Sequence, residues 1–360
     1  MKIGILTKAM DNTPTGIGRY AKNLVENLIK IDKTNEYFFI HYKKSDQGFY
    51  KNKNEIVIKR YTWLPKILND SLAFLFIDKY HLDVIHEVSQ INFLFPLKAK
   101  TVITVHDIYF LINEKNLIKK FLLKLLYNYI YKRADKLIAD SESTKKDLIK
   151  HLGLAKEKIQ VIRGAVEPSF KVIQKRKSDR KKSPYILFVG TLEPRKNLER
   201  LIKAFYQFKV KTDYKHNLIM VGEKGWKYQA IFKKVKSLNL NKEVVFTGHV
   251  TNNNLILLYN QASLLVFPSL YEGLGLPPLE AMACGCPVIT SKISSLPEYC
   301  GKAAYYINPY DTKQLTKAIV KVLADKKLKR RMVELGLAQV KKFSWKKTAK
   351  KTMLIYNSLL

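Results

Sequence analysis

Cysteine is scarce in this 360-residue sequence, which has only Cys284, Cys286 and Cys300. An odd number in a long chain without a secretion signal argues against a disulfide framework and for a reducing compartment. We therefore expect the protein in the cytoplasm. Cys284 and Cys286 form a Cys-x-Cys pair, but no neighbouring His or Cys completes a tetrahedral set, so we expect packed core residues rather than metal ligands.

Long apolar runs are also missing. The opening residues MKIGILTKAM are followed at once by Asp11, Asn12 and Pro14, unlike the longer apolar stretch of a signal peptide. Residues 251–271, the larger part of the longest segment without Asp, Glu, Lys or Arg, contain three consecutive asparagines, a glutamine and a proline. Such a segment is too polar for a membrane span. We expect neither a signal peptide nor a transmembrane helix.

Acidic side chains are few: 30 Asp and Glu face 65 Lys and Arg, for a formal net charge of +35. Such a field attracts nucleic acid, acidic lipid headgroups or phosphorylated substrates. The excess is mostly lysine spread along the chain, which drift in genome composition explains equally well. Nucleic-acid binders more often cluster their cations on one element and add aromatic stacking platforms, and neither feature is evident. We therefore expect no nucleic-acid partner, and an anionic membrane surface stays open.

Short β-rich runs alternate with helical patterns along the whole chain, which is typical of parallel α/β architecture. Helices are predicted at segments such as 18–31 and 116–133. Strands are predicted at 2–6, 37–41, 84–86, 101–105, 136–139 and 159–162, and in a second series at 185–189, 218–221, 244–247, 264–267 and 287–290. The pattern predicts two doubly wound halves joined by a basic, solvated linker. Ligands of such sheets bind beyond the carboxyl ends of the strands, in this case in a cleft between two facing sheets.

Gly16 and Gly18 lie in the sequence PTGIGRY (residues 14–20), between the first strand and an amphipathic helix. Glycine lets the backbone approach an anion, and the free N–H groups at a helix start favour binding it. The segment lacks the full dinucleotide spacing and the acidic residue expected further on. It predicts a phosphate loop, with a tight strand-to-helix turn as the alternative.

The second half opens in the same way, since strand 185–189 leads into GTLEPRKN, which begins at Gly190. Arg195 and Lys196 would then lie at a helix N-terminus, where the dipole disfavours cations unless an anion lies between them and the backbone amides. A bound diphosphate removes that conflict. The alternative is two solvated basic residues among sixty-five.

Glu272 and Glu280 lie eight positions apart in PSLYEGLGLPPLEAMACG, residues 268–285, where prolines suit the start of a helix. Glu280 falls among apolar helix residues and needs hydrogen-bond donors, for which ribose hydroxyls are apt. Glu272 would stand at the loop edge near a sugar. The backbone amides between them could face a diphosphate; they belong to Gly273, Leu274, Gly275 and Leu276.

Together these motifs resemble glycosyltransferase family 4, whose hallmark is two glutamates separated by seven residues. Further matches are GIGRY at 16–20, TVHD at 104–107, ADS at 139–141, the segment 190–197, and FSW at 343–345 with Tyr356. The resemblance implies the α/β GT-B fold, two Rossmann-like doubly wound domains facing across a cleft. It implies an N-terminal acceptor domain (1–166), a linker (167–183), a nucleotide-sugar donor domain (184–343) and a C-terminal helix that crosses back to the first domain (344–360).

The resemblance also implies residue roles. Arg195 and Lys196 neutralise the donor diphosphate, Glu280 holds the ribose and Glu272 contacts the sugar hydroxyls. His106 follows strand 101–105 and becomes a catalytic candidate beside the sugar, with a buried, satisfied histidine as the alternative. The donor-binding set is completed by Gly16, Gly18, Gly190, Gly273, Leu274, Gly275 and Leu276.

The implied reaction is a hexosyl transfer with retention of anomeric configuration, in which the leaving phosphate helps to deprotonate the acceptor. No dedicated nucleophile is then needed, and preorganised cations and N–H groups stabilise the charge that builds on the diphosphate. The sequence has no Asp-x-Asp, the usual metal-diphosphate clamp of the other glycosyltransferase fold. We expect no cofactor and no required metal.

The segments 16–20 and 189–197 are similar to those of mannosyltransferases in bacterial surface-polysaccharide assembly, such as lipopolysaccharide or capsule. This favours GDP-mannose as donor and a glycan or polyprenyl-linked acceptor. Residues 111–133 interleave apolar residues with lysines, as in a helix on an anionic membrane or an ordinary domain helix. Segments 63–65 and 73–76 are further candidates for acceptor contact. The alternative functions are a sugar-nucleotide epimerase of the same fold and a basic nucleic-acid-binding protein.

Overall fold

The structure is a computed structural model that describes residues 1–11, 16–42, 48–51, 53–58, 77–89, 97–174 and 183–360. Pro14 and Thr15 of the predicted phosphate loop, the candidate acceptor segments 63–65 and 73–76, and residues 175–182 of the predicted linker lie outside the described residues. The chain divides into two compact units. The first comprises Met1–Gly164 with Ser344–Leu360, and the second comprises Ala165–Phe343.

The first unit is built on parallel strands β1 (Lys2–Leu6), β2 (Glu36–His41), β3 (Asn54–Val57), β4 (Val84–Glu87), β5 (Lys100–Val105), β6 (Lys136–Ala139) and β7 (Ile159–Val161). In the described part of this unit they form a seven-stranded sheet in the order β3-β2-β1-β4-β5-β6-β7. Its helices are α1 (Gly16–Ile31), α2 (Tyr109–Asn113), α3 (Leu117–Arg133), α4 (Glu142–Leu152) and the C-terminal helix, numbered α12 below (Trp345–Asn357).

The second unit contains parallel strands β8 (Tyr185–Val189), β9 (Asn217–Val221), β10 (Val244–Gly248), β11 (Leu264–Phe267), β12 (Val288–Ser291) and β13 (Ala304–Ile307). Over residues 183–343 they form a six-stranded sheet in the order β10-β9-β8-β11-β12-β13. Its helices are α5 (Leu198–Lys211), α6 (Gln229–Ser237), α7 (Asn252–Gln261), α8 (Leu276–Ala283), α9 (Leu296–Cys300), α10 (Thr312–Ala324) and α11 (Lys326–Val340).

The prediction of two doubly wound α/β halves is confirmed. Every predicted strand is present, and β3 and β13 are additional. Both lie at the edge of their sheet. In β3 only Ile56 is buried, and in β13 only Ile307 is. The sequence NEIV of β3 has neither an apolar run nor an alternation, which explains why the pattern missed it, whereas AYYI in β13 is a short apolar run that the prediction overlooked.

The C-terminal helix α12 belongs to the first unit, where it packs on α1. Helix α1 buries Tyr20, Leu24 and Leu28 at a spacing of four residues, as expected for a helix with one face against a sheet. Tyr20 meets Trp345 of α12 edge to face, with ring centroids 5.4 Å apart. Aromatic pairs of this geometry add about 0.5–1.5 kcal/mol beyond the area that they bury.

The described part of the predicted linker (167–183), residues 167–174, is mostly exposed or half-buried but belongs to the second unit. Phe170 is buried, belongs to the core of the second unit and packs against Tyr259 with ring centroids 6.1 Å apart. Ile173 donates its backbone N–H to the Asn260 side chain at 2.9 Å. One buried phenylalanine in an otherwise exposed or half-buried segment gives no periodic signal, so the sequence pattern did not show this contact with the core.

Cys284, Cys286 and Cys300 are all buried and form no disulfide, as expected for packed core residues. Burial raises the pKa of Cys284 and of Cys300 to about 12. In the part of the chain that the structure describes, no cluster of three or more His, Cys, Asp and Glu side chains is placed to hold a metal ion. Within the same residues, no helix has the length and apolarity needed to cross a membrane.

Candidate active site

Two glycine loops meet at the carboxyl ends of β8 and β9. The backbone N–H of Gly190 donates to the carbonyl of Val221 at 2.8 Å. Gly222, with φ of 146°, approaches so closely that an added Cβ would lie 2.1 Å from the Gly190 carbonyl oxygen. Gly190 itself has φ of 148°. Only glycine combines this backbone region with such close contact, so the local sequence dictates the stacked loops.

Arg195 and Lys196 follow the Gly190 loop in a short 3-10 turn, Pro194–Lys196. Asn197, in the left-handed region with φ of 60°, separates this turn from α5. Arg195 and Lys196 therefore lie directly before the N-cap of α5, close to the predicted helix N-terminus, and the left-handed Asn197 redirects the chain into the helix. The side chain of Asn197 donates to the Pro268 carbonyl at 3.0 Å, which fixes the turn against the loop after β11.

Lys196 and Glu272 form a buried ion pair. Nζ of Lys196 lies 2.6 Å from Oε1 of Glu272, and the two residues are 7% and 6% exposed. Nη1 of Arg195 lies 4.0 Å from the other carboxylate oxygen, while its Nε contacts Glu193 at 2.9 Å. Burial alone would raise the pKa of Glu272, but Lys196 and Arg195 lower it below its usual range. The structure thus brings three of the predicted site residues together, with Lys196 and Arg195 beside the ionised carboxylate of Glu272.

The backbone of Glu272 is held by two serines that the sequence analysis did not single out. Its N–H donates to Oγ of Ser294 at 2.9 Å, and Oγ of Ser295 donates to its carbonyl at 2.9 Å. Ser294 has φ of 44°, an uncommon conformation for a non-glycine residue. Both serines follow β12, so their place after a strand end was the one available signal.

Helix α8 begins directly after the loop that contains Gly273 and Leu274. Gly275 precedes the helix, Leu276 is its first residue, and prolines occupy its first turn. An added Cβ on Gly275 would lie 3.3 Å from Cβ of Tyr299, so a larger residue here requires the neighbouring helix to shift. Proline has no N–H to lose at a helix start, which explains why this sequence begins a helix there.

Glu280 lies inside α8 and is 1% exposed. The hydroxyl of Tyr259, from α7, donates to its Oε2 at 3.0 Å. The sequence predicted that this carboxylate needs donors, and the structure supplies one from a protein side chain. Nothing in the local sequence pointed to Tyr259, because it lies 21 residues away in an ordinary amphipathic helix.

His106 lies in the first unit, after β5, with both ring nitrogens engaged. Nδ1 is 2.5 Å from Oδ2 of Asp140, and Nε2 is 2.9 Å from the carbonyl of Val88. Tyr20 contacts the ring edge to face, with centroids 5.0 Å apart. Burial alone would lower the pKa of His106, but the Asp140 carboxylate and the Val88 carbonyl raise it above its usual range. Both ring nitrogens of His106 are therefore engaged within the first unit.

A second buried histidine continues this polar network. Nδ1 of His86 lies 2.6 Å from the hydroxyl of Tyr356 in α12, and Nε2 lies 2.8 Å from Oγ1 of Thr104. Burial and the charge of His106 lower the pKa of His86 to about 3, so it stays neutral. These contacts tie the C-terminal helix to β4 and to β5, the strand that precedes the His106 loop.

Gly16 and Gly18 open α1; Gly18 is buried, whereas Gly16 is exposed and a Cβ added there would meet no described residue within 4 Å. The predicted site residues thus fall in both units. Gly16, Gly18 and His106 belong to the first, and Gly190, Arg195, Lys196, the segment from Glu272 to Leu276, and Glu280 belong to the second.

Two doubly wound parallel sheets, the second with glycine loops and a buried Glu–Lys pair at its strand ends, match the GT-B arrangement that the sequence motifs predicted. The family description "Glycosyltransferase Family 4" matches residues 14–170, and "Glycosyl transferases group 1" matches residues 170–338. The chain belongs to this glycosyltransferase family, as its sequence motifs predicted.

Among curated relatives, the chain is 34% identical over 265 residues to the serotype-specific mannosyltransferase WbdA of Escherichia coli, an alignment that covers 69% of this chain and 32% of the relative. It is 36% identical over 224 residues to the O-antigen chain mannosyltransferase RfbU of Salmonella typhimurium, covering 62% of this chain and 61% of the relative. The chain thus matches about a third of the length of WbdA.

Solved structures confirm the fold. Sucrose-phosphate synthase from Thermosynechococcus elongatus superposes with a TM-score of 0.81 at 22% identity, covering 99% of this chain and 98% of that one. The Anabaena protein HepE, solved in complex with UDP-glucose, superposes with a TM-score of 0.78 at 19% identity, covering 99% of this chain and all (100%) of that one. At such identities the likeness shows the GT-B fold alone.

Proposed function

We propose that this chain is a retaining mannosyltransferase that moves mannose from GDP-mannose to a glycan or polyprenyl-linked saccharide acceptor in bacterial surface-polysaccharide assembly. The names of its relatives support the mannosyl group, since WbdA and RfbU are both mannosyltransferases and RfbU acts on an O-antigen chain. We place the reaction in the cytoplasm, because three free buried cysteines suit a reducing compartment.

The observation that carries the proposal is the buried pair of Lys196 and Glu272. An ammonium group has three N–H donors, and the contact at 2.6 Å uses one of them. The remaining donors suit phosphate oxygens, and Arg195 adds a second cation beside the same carboxylate. Fixed cations stabilise charge as it develops on a leaving diphosphate, and removing one such group typically lowers kcat by about 10²–10³-fold.

The two glutamates take different partners. Lys196 and Arg195 lower the pKa of Glu272, and the backbone hydrogen bond to Ser294 orients the residue. Its ionised carboxylate can therefore accept hydrogen bonds from sugar hydroxyls. A carboxylate accepts several hydrogen bonds, so Glu280 can hold the Tyr259 hydroxyl and a ribose hydroxyl together. We further propose that Gly190 and the backbone from Gly273 to Leu276 line the donor diphosphate.

The proposed reaction has no protein general base. His106, the predicted catalytic histidine, has both ring nitrogens engaged by Asp140 and Val88, so we do not assign it the role of general base. In the retaining route that we propose, the leaving phosphate takes that proton. We also propose that transfer needs no metal ion, because Arg195 and Lys196 supply the positive charge that a metal would bring to a diphosphate.

The first test is thermal stabilisation by GDP, UDP, ADP and CDP, each with magnesium and with a chelator. A ligand that binds only the native state stabilises it by about 2.7 kcal/mol at a hundred times its Kd. We expect GDP to raise Tm without metal, and the shift to be lost in Glu280→Ala and Lys196→Met. The matched control is Lys203→Met, an exposed lysine of α5 that should keep the full shift.

The second test is transfer itself. With GDP-mannose and an O-antigen-type oligosaccharide, we expect a product whose anomeric configuration, determined by NMR, matches that of the donor. Near-normal turnover in Glu280→Ala or Lys196→Met would show that the substituted residue does not belong to the donor site. Stabilisation by UDP alone would overturn the proposal that GDP-mannose is the donor. Conversion of a nucleotide sugar without an acceptor would show that the protein is an epimerase instead.

A further inference from the structure

Helix α3 presents apolar side chains to solvent. Its inner face buries Tyr127, Ile130 and Tyr131 against the first unit. The opposite side, which we call the α3 outer face, is 46–80% exposed and consists of Leu117, Ile118, Phe121, Leu122, Leu125 and Tyr129. Their spacing of one, three and four residues places them on one stripe along the helix. The helix is therefore apolar on both sides.

An arrangement of this kind is unusual for a surface helix. Single exposed apolar residues need no explanation, whereas a contiguous exposed patch marks an interaction site. A helix that is hydrophobic all round is normally buried, in a core or in a membrane. Helix α3 has 17 residues and carries several lysines, so it is not a spanning helix. The remaining options are a macromolecular partner and the plane of a membrane interface.

Positive charge surrounds the α3 outer face. Residues 109–133 contain one acidic side chain, Glu114, and six basic ones, Lys115, Lys119, Lys120, Lys124, Lys132 and Arg133. The field of these cations extends to the next helix. Burial lowers the pKa of His151 in α4, and Lys150, Lys120 and Lys124 lower it further, although Asp147 opposes them.

We propose that the α3 outer face docks on an anionic lipid bilayer, with the helix parallel to the membrane plane. The leucine, isoleucine and phenylalanine side chains would enter the boundary between headgroups and acyl chains, while the flanking lysines reach the anionic headgroups. A second copy of the chain fits poorly, because an isologous contact sets six cations against the same six cations. The proposal does not depend on the donor site.

The test is co-sedimentation of the full chain with phosphatidylcholine vesicles, with and without phosphatidylglycerol. We expect binding to the anionic vesicles that weakens as salt is raised. The triple variant Ile118→Gln/Phe121→Gln/Leu125→Gln should bind more than tenfold more weakly, since each buried apolar group adds to membrane affinity. Its matched control is Val210→Gln/Leu354→Gln, two residues that are each 67% exposed outside the patch.

The charge is tested separately. Lys115→Gln/Lys124→Gln should weaken binding to anionic vesicles by roughly twenty-five-fold, at about fivefold for each cation near the surface. Lys233→Gln/Lys236→Gln, two exposed lysines of α6, should bind as the wild type does.

Three outcomes would overturn the docking proposal. They are equal vesicle binding by the triple variant and the wild type, equal binding to neutral and anionic vesicles, and a wild-type dimer by light scattering that becomes a monomer in the triple variant. The last would show that a second copy covers the face. All variants should keep the wild-type Tm and its nucleotide-induced shift, so a failure here is separate from a failure of the proposed mannosyl transfer.

Discussion

Replacing Lys196 with methionine should turn the Lys196–Glu272 pair into a buried carboxylate without its nearest counter-ion. At the observed 2.6 Å, the attraction between the two charges is about 6 kcal/mol for an effective dielectric constant of about 20. The desolvation of both groups offsets much of that gain in the wild type. Removing one partner of a buried pair typically costs about 3–5 kcal/mol, because the other charge stays buried. Arg195, at 4.0 Å, should keep the loss near the lower end.

The loss should depend on pH in a defined direction. In the wild type, the pKa of Glu272 is below its usual range, so its contribution to stability is present above the unfolded-state pKa and is lost as pH falls through the folded one. Without Lys196, burial is the largest remaining influence and should raise this pKa. The variant then regains stability as protonation removes the buried charge. The gap between variant and wild type should therefore be largest near neutral pH and should shrink toward pH 4.

The assay is unfolding by urea at pH 7 and at pH 5, together with the variants Glu272→Gln and Lys196→Met/Glu272→Gln. The double variant should be more stable than the sum of the single losses predicts, because it leaves no buried charge unpaired. Lys203→Met, an exposed lysine of α5, should change the free energy of unfolding by less than about 0.5 kcal/mol. A Lys196→Met loss that is equally small, or that is the same at both pH values, would refute the reasoning.

Two further predictions concern the glycine loops and the histidine network. Gly222→Ala places a Cβ 2.1 Å from the Gly190 carbonyl oxygen and should lower Tm strongly. Gly248→Ala should lower Tm far less, because Gly248 has φ of 68° but no described atom within 4 Å of an added Cβ. Equal shifts in Tm would contradict the steric argument. Asp140→Asn removes the anion that raises the pKa of His106, so NMR titration should show this pKa falling below its usual range. Because the raised pKa stabilises the fold at low pH and this effect is lost as pH rises through it, the variant should lose most stability in acid; an unchanged His106 titration would contradict the pairing.

The fold was largely predictable from the sequence because parallel strands are buried on both faces. Runs such as YILFV in β8 and LLVF in β11 are apolar throughout and stand between helical patterns. The pattern failed where burial is partial, in β3 and β13 at the sheet edges. The predicted helix at 116–133 is confirmed as α3, and Asn116 caps its start, since its side chain accepts the Lys119 N–H at 3.0 Å.

The site was predictable only where several unusual residues follow one another. Arg195, Lys196 and Glu272 stand in glycine- and proline-rich loops, and the structure brings them together. The hydrogen-bond partners of the predicted site residues come from distant segments. Ser294, which binds the backbone of Glu272, lies 22 residues away, and Asp140, which binds His106, lies 34 residues away. No local pattern carries such pairings, because the sheet topology alone decides which strand ends are neighbours.

The excess of lysine had two explanations in the sequence, drift in genome composition and an anionic partner, and the helices help to separate them. Helix α11 has the sequence KKLKRRMVELGLAQV, and its exposed residues are Lys, Arg and Glu with one alanine, while Met332 is buried. Helix α3 is similarly basic, yet leucine, isoleucine and phenylalanine occupy exposed positions along it. Drift acts on both helices alike, so it explains how many lysines each contains but not why the apolar residues face inward in one and outward in the other. The two helices thus differ in where their apolar residues lie, and the exposed apolar residues of α3 favour a partner that is both anionic and apolar.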